Sequence, residues 1–161
     1  MSYLRIRVPE NISSILSAID VPGTKVPAHD MHVSLLYISR SNSTEELKHI
    51  SRVVHRTLYN KLHTIITFSQ VDYFDAGEDG YPIIIKFDNQ ELQQIHNDLK
   101  TAFINENIKF DNSYPTFNLH ITLSYSQEKI EPFKIPEMSF NAIGVQLIEA
   151  RKEIDWMYLK Q

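Results

Sequence analysis

Two histidines stand in matching heptapeptides, and these carry the strongest chemical signal of the sequence. Residues 31–37 read Met-His-Val-Ser-Leu-Leu-Tyr, and residues 119–125 read Leu-His-Ile-Thr-Leu-Ser-Tyr. Both follow the pattern apolar, His, apolar, Ser or Thr, Leu, any residue, Tyr, and more than half of the chain separates them. A histidine followed two positions later by a hydroxyl residue thus occurs twice in the same setting, which indicates two similar halves.

These residue types suit the cleavage of a phosphodiester bond. The reaction needs a base that activates a hydroxyl group or water and an acid that protonates the leaving oxygen. Imidazole titrates near neutral pH, so we predict His32 and His120 as the catalytic pair. Ser34 and Thr122 are predicted to donate hydrogen bonds to the non-bridging phosphoryl oxygens, where charge develops. The arrangement requires neither a metal nor another cofactor, and none is predicted.

The three-residue motif alone is weak evidence for a catalytic site. It also occurs at His49 and His55, which fall in a predicted amphipathic helix and are interpreted as solvated positions. A purely structural role for the pair and a metal site remain alternatives, although no H-E-x-x-H motif or carboxylate cluster accompanies the histidines. A Ser-His-Asp hydrolase is disfavoured because the sequence has no G-x-S-x-G motif.

The alternation of a β-strand predicts how the motif residues are oriented. Side chains of a strand point to its two faces in turn, so each His shares a face with its hydroxyl residue. The residues assigned to that face are His32, Ser34, Leu36, His120, Thr122 and Ser124. Those assigned to the opposite, core-facing side are Val33, Leu35, Tyr37, Ile121, Leu123 and Tyr125. Pseudo-two-fold packing of the halves would then bring both motifs to one cleft.

The remaining pattern predicts one α+β domain over residues 1–161. Apolar periodicity predicts strands at 3–8, 31–38, 63–74, 81–87, 118–125, 138–149 and 155–160. It predicts helices that begin at Pro9 and Glu10, at Ser43 or Thr44, and at about residue 89, the last one ending near 105. Long helices flanked by strands, with a hairpin at Gly77 and Gly80, are typical of an α+β domain with largely antiparallel sheet.

Composition limits the class of protein. The 161 residues suffice for one domain with a core, and 42% hydrophobic and 22% charged residues are typical of a soluble protein. No cysteine is present, which excludes disulfides and thiolate chemistry. No apolar run reaches membrane-spanning length, and residues 1–9 lack the apolar core of a signal peptide, so we expect a cytoplasmic protein without membrane contact. The net charge of −4 favours a small cyclic or short oligonucleotide partner over long duplex nucleic acid.

The paired motifs resemble those of the two-histidine (2H) phosphoesterase superfamily, which includes the 2′-5′ RNA ligase-like proteins. The hallmark of that superfamily is two H-x-[S/T] motifs on strands, here His32/Ser34 and His120/Thr122. The segment Phe117–His120 is similar to the aromatic lead-in of the second motif, but the proline often found before that histidine is absent. The resemblance implies a bilobal fold of two pseudo-symmetric halves with helices outside, a central cleft, and metal-independent cleavage of nucleotide phosphodiesters.

Within the superfamily, the layout is similar to the phage anti-CBASS nucleases, which degrade cyclic oligonucleotide signals of bacterial immunity and would act in the host cytoplasm. Those proteins add a C-terminal glutamate and aromatic residues that stack on bases. The resemblance implies Glu149, Trp156 and Tyr3 as further catalytic or substrate-binding candidates. Their residue types alone also fit a surface ion pair for Glu149 and core packing for Trp156. Arg40, which follows the first motif strand, is a candidate phosphate contact or a solvated loop residue.

Two other functions remain open at this point. The first is an RNA 2′,3′-cyclic phosphodiesterase of the 2′-5′ RNA ligase-like kind, which would use the same histidine pair on the end of an RNA. The second is a catalytically silent module that sequesters a nucleotide. The intact histidine pair favours an enzyme, because sequestration needs no acid and no base.

Overall fold

The computed structural model describes residues 1–39, 42–113 and 116–161 of the chain. Within these ranges there are three α-helices: α1 (Glu10–Ser17), α2 (Thr44–Leu58) and α3 (Gln90–Asn105). The strands are β1 (Ser2–Arg7), β2 (Thr24–Lys25), β3 (His32–Ser39), β4 (Thr64–Tyr73), β5 (Tyr81–Lys86), β6 (His120–Ser126), β7 (Phe133–Ala142), β8 (Gly144–Glu149) and β9 (Lys152–Tyr158). A short 3₁₀ turn, Ala28–Asp30, precedes β3.

The strands form two sheets. The first sheet has four strands in the order β3-β1-β8-β9, and the second has five in the order β2-β6-β5-β4-β7. Every pairing between these strands is antiparallel. The predicted α+β class with largely antiparallel sheet is therefore confirmed, and each sheet contains one of the two histidine motifs, in β3 and in β6.

The helices begin where side chains can satisfy their free N–H groups. Ser43 and Glu46 form a reciprocal capping box at the start of α2, and the Asn89 side chain accepts a hydrogen bond from the Leu92 N–H at the start of α3. Both helices bury one apolar stripe. α3 contacts α2 and also β3.

The first sheet joins distant parts of the sequence. β1 lies between β3 and β8, and Ser2 pairs with Ser39 on one side and with Glu149 on the other. Residues Leu4 and Ile6 of β1 are buried in the core, whereas Tyr3 and Arg5, on the opposite face, are half-buried. That second face of β1 is the floor of the cavity described below.

The prediction of one continuous strand over residues 138–149 is wrong. β7 ends at Ala142 in the second sheet, and β8 begins at Gly144 in the first sheet. The apolar alternation runs through both strands and does not mark the change of sheet. Gly144 fits this crossing because an added Cβ would lie only 2.5 Å from a ring carbon of Trp156. The two-residue strand β2 was not predicted, because it is too short to show periodicity.

Candidate active site

β3 carries a β-bulge directly after its H-x-S motif. Arg5 of β1 pairs with Ser34, but the preceding residue Leu4 pairs with Leu36. Leu35 is therefore an extra residue in β3 with no partner position on β1. A bulge of this kind shifts the alternation of side chains by one residue.

β6 carries the same bulge at the equivalent position. Ile84 of β5 pairs with Thr122, and the preceding Ile83 pairs with Ser124, which leaves Leu123 as the extra residue. The similarity of the two halves thus extends from their sequence pattern to an irregularity of the backbone.

The bulges correct the predicted orientation of four side chains. Tyr37 and Tyr125 were assigned to the core, yet both are partly exposed and lie on the face of the histidines. Leu36 and Ser124 were assigned to the histidine face, yet both are buried in the interior. Strict alternation was the wrong assumption, because the extra residue exchanges the two faces beyond the motif.

One cavity brings both motifs together. β3 and β6 contact each other between the sheets, and a cavity of about 710 Å³ opens beside them. Its lining residues are Met1, Tyr3, Arg5, Val26, Asp30, His32, Ser34, Tyr37, His120, Thr122, Tyr125, Ala150 and Arg151. The same cavity is therefore lined by the predicted histidines, by their hydroxyl partners and by Tyr3.

The two histidine rings are held in the same way. His32 Nδ1 lies 2.7 Å from the carbonyl oxygen of Asp30, and His120 Nδ1 lies 2.8 Å from that of Asn118. A carbonyl oxygen only accepts hydrogen bonds, so each Nδ1 carries the proton and donates it. In both rings Nε2 is then the nitrogen that remains to take or give a proton.

The electrostatic surroundings of the two rings differ. Burial lowers the pKa of His32, and the positive charges of Arg5 and His120 lower it further, while the hydrogen bond to the Asp30 carbonyl and the negative charge of Asp30 oppose these effects. Burial also lowers the pKa of His120, and only its hydrogen bond to Asn118 opposes that effect. Both imidazoles therefore lose their proton more readily than a free histidine, and His32 has the additional influence of a fixed cation.

Each motif hydroxyl is paired with the tyrosine that the bulge turns into the cavity. Ser34 Oγ lies 3.1 Å from the Tyr37 hydroxyl. Burial raises the pKa of Tyr125, as do Tyr37 and Asp79, while a side-chain hydrogen bond with Thr122 opposes the rise. Tyr125 therefore keeps its phenolic proton at neutral pH and can donate it in a hydrogen bond.

Arg5 is a cavity residue that the sequence analysis did not select. Its Nε donates to Gln146 Oε1 at 2.9 Å, and the buried Gln146 in turn donates to Glu153 at 2.8 Å. A second guanidinium nitrogen lies 3.4 Å from the Tyr3 hydroxyl. The Tyr3 ring is 5.5 Å from that of His32, centroid to centroid. These contacts fix a cation beside the first histidine.

Two of the other predicted candidates do not line the cavity. Glu149 is on the opposite face of the first sheet, where it accepts a hydrogen bond from the Ser2 hydroxyl. Trp156 is on the cavity side of β9 but does not line the cavity, and its ring packs against Gly144. Arg40 lies outside the described residues. The structure therefore brings Tyr3, but neither Glu149 nor Trp156, to the histidines.

Neither a metal-binding cluster nor a membrane-spanning helix is present among the described residues. Within 1–39, 42–113 and 116–161, no group of three or more His, Cys, Asp or Glu side chains is placed to hold a metal ion. In the same ranges, no helix is both long enough and apolar enough to cross a membrane.

Comparison with known proteins identifies relatives of both the sequence and the fold. Residues 3–159 match the family model described as anti-CBASS protein Acb1. The sequence matches none of the curated proteins. The fold is similar to a crystal structure of a phosphoesterase, with a TM-score of 0.80, 17% identity, and coverage of 99% of this chain and 98% of that one.

Two further structures show the same fold. The protein TT0787 of Thermus thermophilus gives a TM-score of 0.80 at 16% identity, with 99% of this chain and 97% of that one covered. E. coli LigT complexed with 3′-AMP gives 0.75 at 17% identity, with 99% and 98% covered. The predicted bilobal fold of the 2H phosphoesterase type is thereby confirmed.

Proposed function

The chain belongs to the family of anti-CBASS protein Acb1, and we propose that it is a phosphodiesterase that degrades cyclic oligonucleotides by acid–base catalysis with two histidines. This membership confirms the relation to the anti-CBASS branch that was predicted from the layout of the sequence. Family and fold together support a phosphodiesterase. The cyclic oligonucleotide as substrate is our proposal.

One observation supports the mechanism above all others. His32 and His120 line the same cavity, and each has its Nδ1 proton engaged by a backbone carbonyl two residues earlier. Two imidazoles with equivalent free Nε2 atoms can supply a base and an acid to one bound phosphodiester. Because the pair provides both proton transfers, the reaction needs no metal ion.

The asymmetry around the rings supports an assignment of roles. Arg5 disfavours protonation of His32 and is not among the groups that shift the pKa of His120, so we assign His32 the role of base and His120 that of acid. His32 Nε2 takes the proton of a ribose 2′-hydroxyl, whose oxygen forms a bond to phosphorus. The bond from phosphorus to O5′ breaks, and His120 Nε2 gives its proton to that oxygen.

This step opens the ring and leaves a 2′,3′-cyclic phosphate at one end and a 5′-hydroxyl at the other. Water can then attack the cyclic phosphate with the two histidines in exchanged roles. During both steps negative charge grows on the non-bridging oxygens. Ser34 and Thr122, with Tyr37 and Tyr125 beside them, supply hydroxyl donors for those oxygens.

The cavity supports a small nucleotide as substrate. Its volume of about 710 Å³ lies within the range of about 300–1,000 Å³ that is typical of small-molecule sites. Two arginines, Arg5 and Arg151, and one carboxylate, Asp30, are among its lining residues, although the whole chain has a net charge of −4. The cavity is therefore locally cationic, as an anionic ligand requires.

A second candidate function is supported by the similarity in fold to E. coli LigT complexed with 3′-AMP. This is an RNA 2′,3′-cyclic phosphodiesterase, which would perform only the second of the two steps. Both candidates need the same histidines, so substrate identity distinguishes them.

The test is a product assay in EDTA that compares the wild type with His120→Ala. The panel contains 3′,3′-cyclic GMP-AMP, a cyclic trinucleotide, and an RNA that ends in a 2′,3′-cyclic phosphate. His49→Ala is the matched control, because His49 also precedes a hydroxyl residue by two positions but lies in α2. We expect cleavage of the cyclic oligonucleotides by the wild type and the control, and a loss of about 100-fold or more in His120→Ala.

Other outcomes would redirect the assignment. Cleavage of the RNA end alone would replace our proposal with the RNA phosphodiesterase. Tight binding of a cyclic oligonucleotide without any product would indicate a sequestering module. Activity lost in EDTA and restored by a divalent cation would overturn the paired-histidine mechanism.

A further inference from the structure

The turn between β8 and β9 has a backbone conformation that its residues rarely adopt. Glu149 pairs with Lys152, so Ala150 and Arg151 form a two-residue turn, and their φ angles are 50° and 67°. Turns with two positive φ angles favour Asn and Gly, since a Cβ is strained there. Asn107 is the one other non-glycine residue with positive φ in the described ranges, and it does not line the cavity.

The strained turn places a cation at the cavity. Arg151 is exposed and lines the cavity, and in the described ranges no hydrogen bond or ion pair engages its guanidinium. Arg5, by contrast, is held by Gln146 and Tyr3. Asp30, the one carboxylate among the described lining residues, lies 3.6 Å from a nitrogen of His29. Arg151 is therefore the lining cation that remains open to a ligand.

Arg151 and the histidines lie at opposite ends of the cavity floor. His32 pairs with Arg7, and the turn follows Glu149, which pairs with Ser2. Arg7 and Ser2 are five residues apart on β1, which corresponds to about 17 Å of extended strand. That separation is longer than an arginine side chain, which favours contact of the guanidinium with a group other than the phosphate between the histidines.

We propose that Arg151 forms a second phosphate subsite, which binds a phosphodiester other than the one being cleaved. The inference rests on the proposed function and specifies its substrate class: oligonucleotides that carry two or more phosphates. The planar guanidinium can donate two parallel hydrogen bonds to such a group. The subsite also gives a reason for the strained turn, because strain of this kind persists where it positions a functional group.

The test combines kinetics and binding on the full chain. Steady-state rates with a cyclic trinucleotide are measured for wild type, Arg151→Ala and Lys152→Ala. Lys152 is the matched control, since it is the next residue, is exposed, and does not line the cavity. We expect Arg151→Ala to raise KM about 10-fold with kcat changed less than about 3-fold, as for the loss of one charged contact. Lys152→Ala should match the wild type.

Binding is measured in a His120→Ala background, in which the proposed acid is absent. Arg151→Ala should weaken binding of the cyclic trinucleotide by a similar factor and leave that of 3′-AMP, which has one phosphate, within about 2-fold. The slope of log affinity against log salt for the trinucleotide should fall by about 0.7, the value for one lost contact to a single strand. This arm works even if the wild type has no turnover, so failure of the proposed function and failure of the subsite are distinguishable.

A further variant separates the subsite from folding. Arg151→Gly relieves the positive φ, so its melting temperature should equal or exceed that of the wild type while its trinucleotide affinity falls. Equal weakening of the trinucleotide and 3′-AMP, unchanged trinucleotide binding in both Arg151 variants, or no binding by any variant would each overturn the proposal.

Discussion

The bulge of β3 and the bulge of β6 differ in the donor that satisfies the carbonyl of the extra residue. The Leu35 carbonyl accepts a hydrogen bond of 2.6 Å from His96 Nδ1, a side chain of α3. The Leu123 carbonyl accepts one of 2.9 Å from the backbone N–H of Val26. Equivalent irregularities in the two halves are thus held by a side chain in one and by the main chain in the other.

His96 also reaches the second motif. Its ring stacks on Phe117 at 3.8 Å between centroids and 10° between planes, and Gln93 donates to the Phe117 carbonyl at 3.0 Å. Phe117 lies three residues before His120. One turn of α3 therefore contacts both the bulge of the first motif strand and the lead-in to the second. The bulge after the first motif therefore depends on the side chain of one residue, His96. The bulge after the second motif depends on a hydrogen bond between main-chain groups.

Removal of the His96 side chain should have the largest effect, because it should disturb the bulge of β3 and leave the main-chain hydrogen bond at the bulge of β6 in place. His96→Leu leaves the Leu35 carbonyl without its donor, which should lower the free energy of unfolding by about 1–3 kcal/mol. Because the bulge orients Tyr37 and Ser34, kcat should also fall. Chemical denaturation and steady-state kinetics measure the two effects.

The matched comparison is Val26→Ala, which keeps the backbone donor of the other bulge and should cost less than about 1 kcal/mol. His96→Asn restores an N–H donor near the position of Nδ1 and should recover part of the lost kcat. If His96→Leu and Val26→Ala proved equally mild, the bulge of β3 would not depend on His96.

The paired tyrosines allow the two halves to be compared at the level of single atoms. Tyr37→Phe and Tyr125→Phe each remove one hydroxyl beside a motif hydroxyl and leave the ring in place. Each should reduce kcat/KM by up to about 10-fold, the value of one neutral hydrogen bond, with little change in melting temperature. The measurement is kcat/KM with a cyclic oligonucleotide as substrate. A kcat/KM unchanged in both variants would exclude the tyrosine hydroxyls from catalysis.

The smallest expected effect is a change in the pH profile, because Arg5 shifts the pKa of His32 and is not among the groups that shift the pKa of His120. Under the assigned roles, kcat/KM falls at low pH as His32 becomes protonated and at high pH as His120 loses its proton. Arg5 lowers the pKa of His32, so Arg5→Met should raise that pKa and move the acidic limb to higher pH. The alkaline limb should move less, since Arg5 is not among the groups that shift the pKa of His120. A shift of the alkaline limb alone would reverse the assigned roles.

Sequence reasoning identified the elements whose cause is local. The histidine motifs lie on strands, and the predicted helices begin within a residue or two of their observed starts, because apolar periodicity and capping residues act over a few positions. The alternation of β1 even contained the signal for Arg5. Arg5 shares a face with Tyr3, opposite the buried Leu4 and Ile6, and the sequence-based prediction did not use that signal.

What could not be predicted depends on pairing between distant segments. Leu35 and Leu123 have no property that marks them as bulged, since a bulge is defined by the partner strand. The change of sheet between Ala142 and Gly144 likewise depends on where β8 finds β1. Arg151 was not predicted as a site residue, because its turn lacks the Asn-Gly sequence by which such turns are recognised.

The position of β1 in the first sheet has a consequence for how the protein is made. As the chain leaves the ribosome, β1 and β3 emerge well before residues 144–149, which are the partner for the other edge of β1. Until then that edge presents unpaired backbone groups, which are prone to associate with other chains. Pairing across such a sequence separation is also slow. Since β1 is the floor of the cavity, a nascent chain acquires its binding site only in this late step.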